Sequence, residues 1–206
     1  MVPVVRAPMG RAARAGIGHR EVHREDRVVL VRLGRASRVT TPVAVRPRPL
    51  AFLPAALFKP ERPARYVALA WACAFFPSLL LSALASHILP ESVPEFPEVG
   101  GGLLLFLLVV FAPVIETLIM GVVLLILDRF LGFAPAVLLS SLGWGIAHSL
   151  QAPAWGLVIW WPFLIFSTVF LTWRKRSIGL AFALPMLVHG LQNFGPALLM
   201  VTGLNK

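Results

Sequence analysis

The stretch Phe111-Ala-Pro-Val-Ile-Glu-Thr-Leu-Ile-Met-Gly121 places one carboxylate, Glu116, in an apolar run from Leu103 to Leu127 that holds no other charge. The run exceeds the roughly 20 apolar residues that a helix needs to cross a bilayer. A charge near the middle of such a span costs on the order of 3 kcal/mol, so Glu116 is expected to face a polar interior. Pro113 removes one helical hydrogen bond nearby and is expected to expose backbone groups beside the carboxylate.

Composition identifies the class of protein before any other motif is considered. Hydrophobic residues make up 58% of the 206 residues, and the mean hydropathy is +0.81. These values exclude a water-soluble globular protein and indicate an integral membrane protein. The single cysteine, Cys73, excludes a disulfide or a cysteine-based metal cluster within one chain.

The net charge of +10 comes from the N-terminal part of the chain. Residues 1–48 contain 11 arginines and three acidic residues, whereas five basic and five acidic residues follow from Tyr66 onward. Residues 1–60 are therefore predicted to be an Arg/Pro-rich, disordered cytoplasmic tail attracted to anionic lipid. Nucleic-acid binding is not expected, because no aromatic residues are interleaved with the arginines. Residues 61–206 are predicted to form the transmembrane domain.

Five apolar segments follow the tail, and the predicted fold is an all-α, polytopic bundle of about five to six transmembrane helices. Basic groups at Lys59 to Arg65, at Arg129 and at Arg174 to Arg176 alternate with acidic or uncharged loops. The positive-inside rule then puts the N-terminus in the cytoplasm. A sixth short or re-entrant segment is possible near 49–58. With 16 Arg against 3 Lys, the composition resembles that of GC-rich bacteria, and we expect a bacterial inner-membrane protein. The five spans are predicted at about 66–89, 102–127, 134–150, 154–173 and 178–202.

Three polar features within the later spans are candidates for chemistry. Besides Glu116 they are His148, in a segment rich in small residues, and the pair His189 and Asn193. On a helix, residues four apart share one face, so this imidazole and this amide would lie together. Such a pair can stabilise an oxyanion or contribute to a metal site, and it can equally be a hydrogen bond between helices. Glu116 and His148 also have purely structural interpretations. Glu116 can be a buried, protonated carboxyl group, and His148 can be a polar anchor at the membrane interface.

The order of these residues resembles the CPBP intramembrane proteases, also called Abi, which include the CAAX prenyl endopeptidases. The family pattern is Glu-Glu-x-x-x-Arg on one span, an aromatic-x-x-x-His motif on a later span, and His-x-x-x-Asn or His-x-x-x-Asp on a last one. Glu116 matches the first glutamate, Trp144-Gly-Ile-Ala-His148 the second motif, and His189-Gly-Leu-Gln-Asn193 the third. Thr117 and Gly121 stand where the family has its second glutamate and its arginine. If those two normally form an ion pair, losing both leaves no unpaired charge.

The resemblance implies an intramembrane endopeptidase acting on a membrane-associated peptide or protein. Glu116 would act as general base on a water that His148 also holds, and His189 and Asn193 would stabilise the oxyanion. No cofactor is expected on this route. The alternative is a zinc enzyme with Glu116, His148 and His189 as ligands. The bacterial composition argues against a prenylated CAAX substrate and favours the family's bacterial roles in bacteriocin maturation or self-immunity.

Two other classes of protein compete with the protease interpretation. A catalytically inactive, CPBP-like membrane protein would use the same polar cluster structurally and bind a peptide or protein partner. A proton-coupled transporter would use Glu116 and the histidines as a relay, although the chain has no internal repeat to support this.

Overall fold

The computed structural model describes residues 47–90, 96 and 98–203, and these are helical with no β-strand. The all-α membrane bundle predicted from the sequence is confirmed. Residues 1–46, which hold most of the predicted tail, lie outside the described residues. The division into a tail of residues 1–60 and a domain of residues 61–206 therefore stays a prediction.

Five long helices occupy the positions of the five predicted spans. Four of them are long and apolar enough to cross a membrane. The fifth, which is third along the chain, has only 17 residues. The helices are α1 (Pro63–Ile88), α2 (Gly101–Leu131), α3 (Phe133–Ser149), α4 (Pro153–Arg174) and α5 (Ile178–Thr202).

The connections between α2, α3, α4 and α5 are short, and their residues explain where the helices stop. Gly132 separates α2 from α3 and has φ +80°, a conformation that side chains other than glycine rarely adopt. Pro153 occupies the first turn of α4, where its missing N–H costs nothing. Ser177 caps α5 by accepting a hydrogen bond from the backbone N–H of Leu180 at 3.3 Å. Consecutive helices therefore run antiparallel.

Helix α4 forms the centre of the bundle. In its most apolar window 67% of the residues are buried, against 17% in the corresponding window of α2. Helices α1, α3 and α5 all pack against it. Its continuous apolar sequence runs through Pro162 without a break in the helix, and the surrounding helices present their outward side chains to lipid.

The segment before α1 also packs into the bundle. It forms two 3₁₀ turns, Arg48–Leu50 and Ala55–Phe58, and the second lies against α1 and α4. Leu50 and Leu57 are fully buried, and Phe52 packs against Trp161 with ring centroids 6.1 Å apart. These turns form a short element that does not cross the membrane, at the position of the predicted sixth segment.

Two side chains attach this segment to the helices by a shared acceptor. Tyr66 Oη and Thr172 Oγ1 both donate to the carbonyl oxygen of Leu57, at 2.6 and 3.0 Å. Removing either donor alone, as Tyr66→Phe or Thr172→Val, is expected to cost about 1 kcal/mol of stability. The double variant is expected to lose more than the sum, because the buried carbonyl then has neither partner. Thermal unfolding in detergent measures the loss of stability in the two single variants and in the double variant.

Thr168→Val is the matched control for this cycle, since Thr168 is buried on the same helix but bonds only to Leu164 of its own helix. Combined with Tyr66→Phe, it should give an additive loss. Strict additivity of Tyr66→Phe with Thr172→Val would contradict the shared-acceptor interpretation.

Candidate active site

The helix that carries Glu116 is irregular just before this residue. A π turn spans Leu107–Phe111 and is followed at once by Pro113, which cannot donate a backbone hydrogen bond. The side chain of Asn193 donates from Nδ2 to the carbonyl oxygen of Leu108, at 2.9 Å. The carbonyl of Leu108, eight residues before Glu116, is therefore available to a neighbouring helix.

A glycine on α5 allows that helix to approach the irregular turn. A Cβ atom at Gly190 would lie only 2.8 Å from the carbonyl oxygen of Val109. The next residue toward the N-terminus, His189, then comes close to Glu116: its Nε2 lies 3.8 Å from the carboxylate Oε2. The imidazole is 6% exposed and the carboxylate 24%. This distance is longer than a direct hydrogen bond and allows one water to contact both atoms.

His148 is oriented by the backbone of its own helix. Its Nδ1 lies 2.8 Å from the carbonyl oxygen of Trp144, four residues earlier. Because a carbonyl only accepts, Nδ1 carries the proton, and Nε2 of the neutral ring is left as the acceptor. This backbone hydrogen bond fixes one tautomer of His148, and the Trp144 side chain adds a separate ring contact, with its centroid 5.8 Å from that of the imidazole.

Aromatic side chains from α4 separate and orient the two histidines. Phe166 stacks on His189 at a centroid distance of 4.7 Å, and Phe163 meets the same ring edge-on at 5.4 Å. The ring centroid of Phe163 also lies 5.8 Å from that of His148. Trp155 contacts His148 edge-on, with ring centroids 4.9 Å apart. The imidazoles therefore have little freedom to rotate. Sequence reasoning missed these aromatics, because they look like ordinary apolar residues of a span.

All four predicted site residues line one cavity of about 430 Å³. The volume lies within the usual range for ligand pockets. Gln192 lines it as well, and its Oε1 is buried with no hydrogen-bond partner among the described residues. Gln192 is three residues after His189, so on a helix the two side chains lie on neighbouring faces. The rest of the lining consists mainly of apolar or hydroxyl side chains. They are Phe75, Ser78, Ser82 and Ser86 of α1, Leu108 and Ala112 of α2, and Val158, Ile159, Phe163 and Phe166 of α4.

At the two positions that depart from the family pattern, packing has replaced charge. Thr117 is fully buried, and its hydroxyl has no hydrogen-bond partner among the described residues. A Cβ at Gly121 would overlap the ring of Phe182 and lie 2.8 Å from Cε2 of Phe170. These two rings pack edge-on at 4.9 Å. An arginine at position 121 therefore has no space unless both rings move.

The zinc alternative stays a prediction, and the three residues proposed as its ligands line one cavity. Across residues 47–90, 96 and 98–203, no three His, Cys, Asp or Glu side chains lie close enough together to hold a metal ion. Glu116 and His189 are near one another, and the Trp144 carbonyl engages only Nδ1 of His148, which leaves Nε2 free to contact water or a metal. A zinc site needs three protein ligands at about 2.0–2.2 Å from one point.

Comparison with known proteins supports the family resemblance. Residues 99–195 match the family model described as type II CAAX prenyl endopeptidase Rce1-like. No curated protein and no solved structure matches the chain. The matched range contains Glu116, His148, His189 and Asn193, and four of the helices are long and apolar enough to cross a membrane. The match confirms the resemblance based on three motifs: over residues 99–195 this multi-pass membrane protein is similar to the Rce1-like type II CAAX prenyl endopeptidases.

Proposed function

We propose that this protein hydrolyses a peptide bond of a membrane-associated polypeptide with a water molecule activated by Glu116. The observation that carries the proposal is the 3.8 Å approach of Glu116 and His189 at the wall of a cavity inside the bundle. An ionisable residue in a span is expensive and usually functional. A structural network would be expected to satisfy its polar atoms, yet Nδ1 of His189 and Oε1 of Gln192 have no hydrogen-bond partner among the described residues.

The first chemical step uses Glu116 as a base. The carboxylate takes a proton from the water while the water oxygen bonds to the substrate carbonyl carbon, and the carbonyl π electrons move to its oxygen. His148 holds the same water through its acceptor nitrogen, Nε2, which the hydrogen bond at Nδ1 leaves without a proton. In the second step the tetrahedral intermediate collapses, the carbon–nitrogen bond breaks, and Glu116 returns the proton to the leaving amine.

His189 and Asn193 supply the groups for the oxyanion. The Asn193 amide uses one N–H hydrogen on the Leu108 carbonyl and retains a second for the substrate. His189 is held by stacking on Phe166, so it donates without having to reorganise. One such donor contributes on the order of 3 kcal/mol to the transition state. No step in this route uses a metal ion.

The substrate is a membrane-associated peptide or protein, because the cavity is bounded by helices that carry apolar, lipid-facing residues. The matched family is named for prenylated CAAX substrates, while this chain's composition favours a bacterial substrate. Two short internally quenched peptides of the same sequence distinguish prenylated from other lipid-modified substrates. One peptide carries a farnesylated C-terminal cysteine and the other carries a palmitoyl chain.

The test uses full-length protein purified in detergent, with products identified by mass spectrometry. We expect the palmitoylated peptide to be cut at a peptide bond, and the cleavage to disappear in Glu116→Gln. Binding of either peptide without any cleavage would overturn the proposal and leave the inactive peptide-binding protein, which Thr117 and Gly121 in place of a charged pair would then explain.

We also propose that the protein lies in a bacterial inner membrane with its N-terminus in the cytoplasm. The support is the charge distribution, since Arg62, Arg129 and Lys175 all fall in segments at the same end of the bundle. Basic residues next to spans are retained on the cytoplasmic side.

A further inference from the structure

One end of the bundle carries the basic residues, and contacts between distant segments define it. The side chain of Arg174 forms an ion pair with Asp128, which joins the end of α4 to the end of α2. Arg176 donates from Nη1 to the carbonyl oxygen of Pro60 at 2.7 Å, which joins the end of α4 to the segment before α1. We call this the basic end. The lysine and arginine residues in these segments are Lys59, Arg62, Arg65, Arg129, Arg174, Lys175 and Arg176.

The other end of the bundle is equally defined by contacts, and we call it the open end. A Cβ atom at Gly101, where α2 begins, would meet the side chain of Val201 near the end of α5. Phe96, which precedes α2, packs edge-on against Trp155 at the start of α4, at 5.7 Å. No lysine or arginine of the described residues belongs to these segments, and the exposed residue Glu98 lies among them.

The cavity occupies only the half of the bundle toward the open end. Its deepest wall is formed near the middle of the helices, by Glu116, Phe166 and His189. From there its lining continues along α1 through Ser82 and Ser86 to the helix end. The remaining lining residues at this level are Leu89, Pro90, Phe96, Trp155 and Met200. Among the described residues, no lining residue belongs to the segments of the basic end.

These two observations together give the direction from which the site is reached. The positive-inside rule puts the basic end in the cytoplasm, so the open end faces the opposite side. We infer that the cavity opens toward the non-cytoplasmic face of the membrane, and that its substrates are peptides or membrane proteins whose cleaved segment lies in or above the outer leaflet.

This inference rests on the proposed function and narrows it. A lipid-modified cysteine at a cytoplasmic C-terminus would lie in the wrong leaflet for this cavity. An exported peptide, or the outer-leaflet half of a membrane helix, would lie in the right one. The apolar walls of the cavity suit both of the latter, because either brings apolar side chains into contact with them.

Cysteine accessibility tests the direction without requiring activity. In a Cys73→Ala background, single cysteines are introduced as Ser86→Cys or Glu98→Cys at the open end and Lys175→Cys at the basic end. Residues 86, 98 and 175 are all exposed in the structure. A membrane-impermeant maleimide added to intact right-side-out vesicles is expected to label positions 86 and 98, and position 175 only after permeabilisation. The opposite pattern, or equal labelling of both ends in intact vesicles, would overturn the inference.

Cleavage in vesicles separates this inference from the proposed function. The palmitoylated peptide added outside right-side-out vesicles is expected to be cut, and the same peptide outside inverted vesicles is not. Activity restricted to inverted vesicles would overturn the direction of opening and leave the chemistry intact. Absence of activity in detergent, where both faces are accessible, would instead overturn the proposed function.

Discussion

Glu116→Gln is expected to lower kcat for peptide cleavage by roughly 10²–10⁴-fold, the usual contribution of a general base. The glutamine side chain has nearly the same shape as glutamate, but its amide cannot accept the proton of the attacking water. The fold should be retained, because the carboxylate accepts no hydrogen bond shorter than 3.5 Å among the described residues and its nearest charged or ionisable partner is His189 at 3.8 Å. Initial rates of peptide cleavage in detergent, at saturating peptide, measure the effect.

Glu98→Gln provides the matched control, since it makes the same chemical change at an exposed position outside the cavity lining. It should leave both kcat and the melting temperature unchanged. Full activity of a correctly folded Glu116→Gln protein would contradict the proposed base, and equal losses in both variants would show that the assay responds to net charge.

Gly156→Ala is expected to destabilise the protein by about 1–3 kcal/mol, the usual cost of overpacking. A Cβ at this position would overlap Ser149 Oγ and the backbone carbonyl oxygen of Gly145. A backbone group cannot rotate away as a side chain can, so α3 must move away from α4. His148 lies on α3 between these two contacts and would move with it. A displacement of about 1 Å can cost 10²-fold in rate, so we expect cleavage to fall as well.

Gly143→Ala is the control for this prediction, because it adds the same methyl group to α3 at a place where nothing lies within 4 Å. It should be neutral or stabilise the helix by about 0.5–1 kcal/mol, as glycine is a poor helix former. Thermal unfolding and cleavage rates of both variants decide the outcome. Equal behaviour of the two alanine variants would mean that α3 and α4 are not packed as closely as the structure indicates.

The helical bundle was predictable because the apolar runs have the length of a membrane span and the charged residues lie near their ends. An apolar run without charges is a strong signal of a membrane span, and the basic groups mark the ends of helices. The limits of the helices were less predictable. Helix α2 runs past the predicted end at 127 to Leu131, since Asp128 pairs with Arg174 from a segment 46 residues away. Local sequence contains no information about such a partner.

The candidate residues of the site were predictable for a similar reason. Polar side chains such as Glu116 and His189 are conspicuous in an apolar span, and their convergence on one cavity could be anticipated. Phe163 and Phe166 orient the histidines but cannot be distinguished in sequence from core residues. The π turn was also hidden, because Leu107–Phe111 is an ordinary apolar pentapeptide. Only Pro113 indicated an irregularity nearby.

The missing charged pair also has an explanation that sequence could not supply. Gly121 stands where the family pattern has an arginine. In the structure the rings of Phe170 and Phe182 occupy that space, so the bundle is filled there without a buried ion pair. Replacing a buried ion pair by well-packed apolar groups is often neutral or stabilising.

The length of α3 has a consequence for the lipid around the protein. Its 17 residues rise only about 26 Å at 1.5 Å each, whereas the hydrocarbon layer is about 30 Å thick. Leu150, at the turn that follows, is 84% exposed, so acyl chains reach this end of the helix. Local thinning of the bilayer is one way to accommodate a mismatch of about 4 Å. Because the shortened end carries His148, thinning would bring the aqueous boundary toward the residue proposed to hold the hydrolytic water, and we expect the rate of the proposed hydrolysis to depend on acyl-chain length.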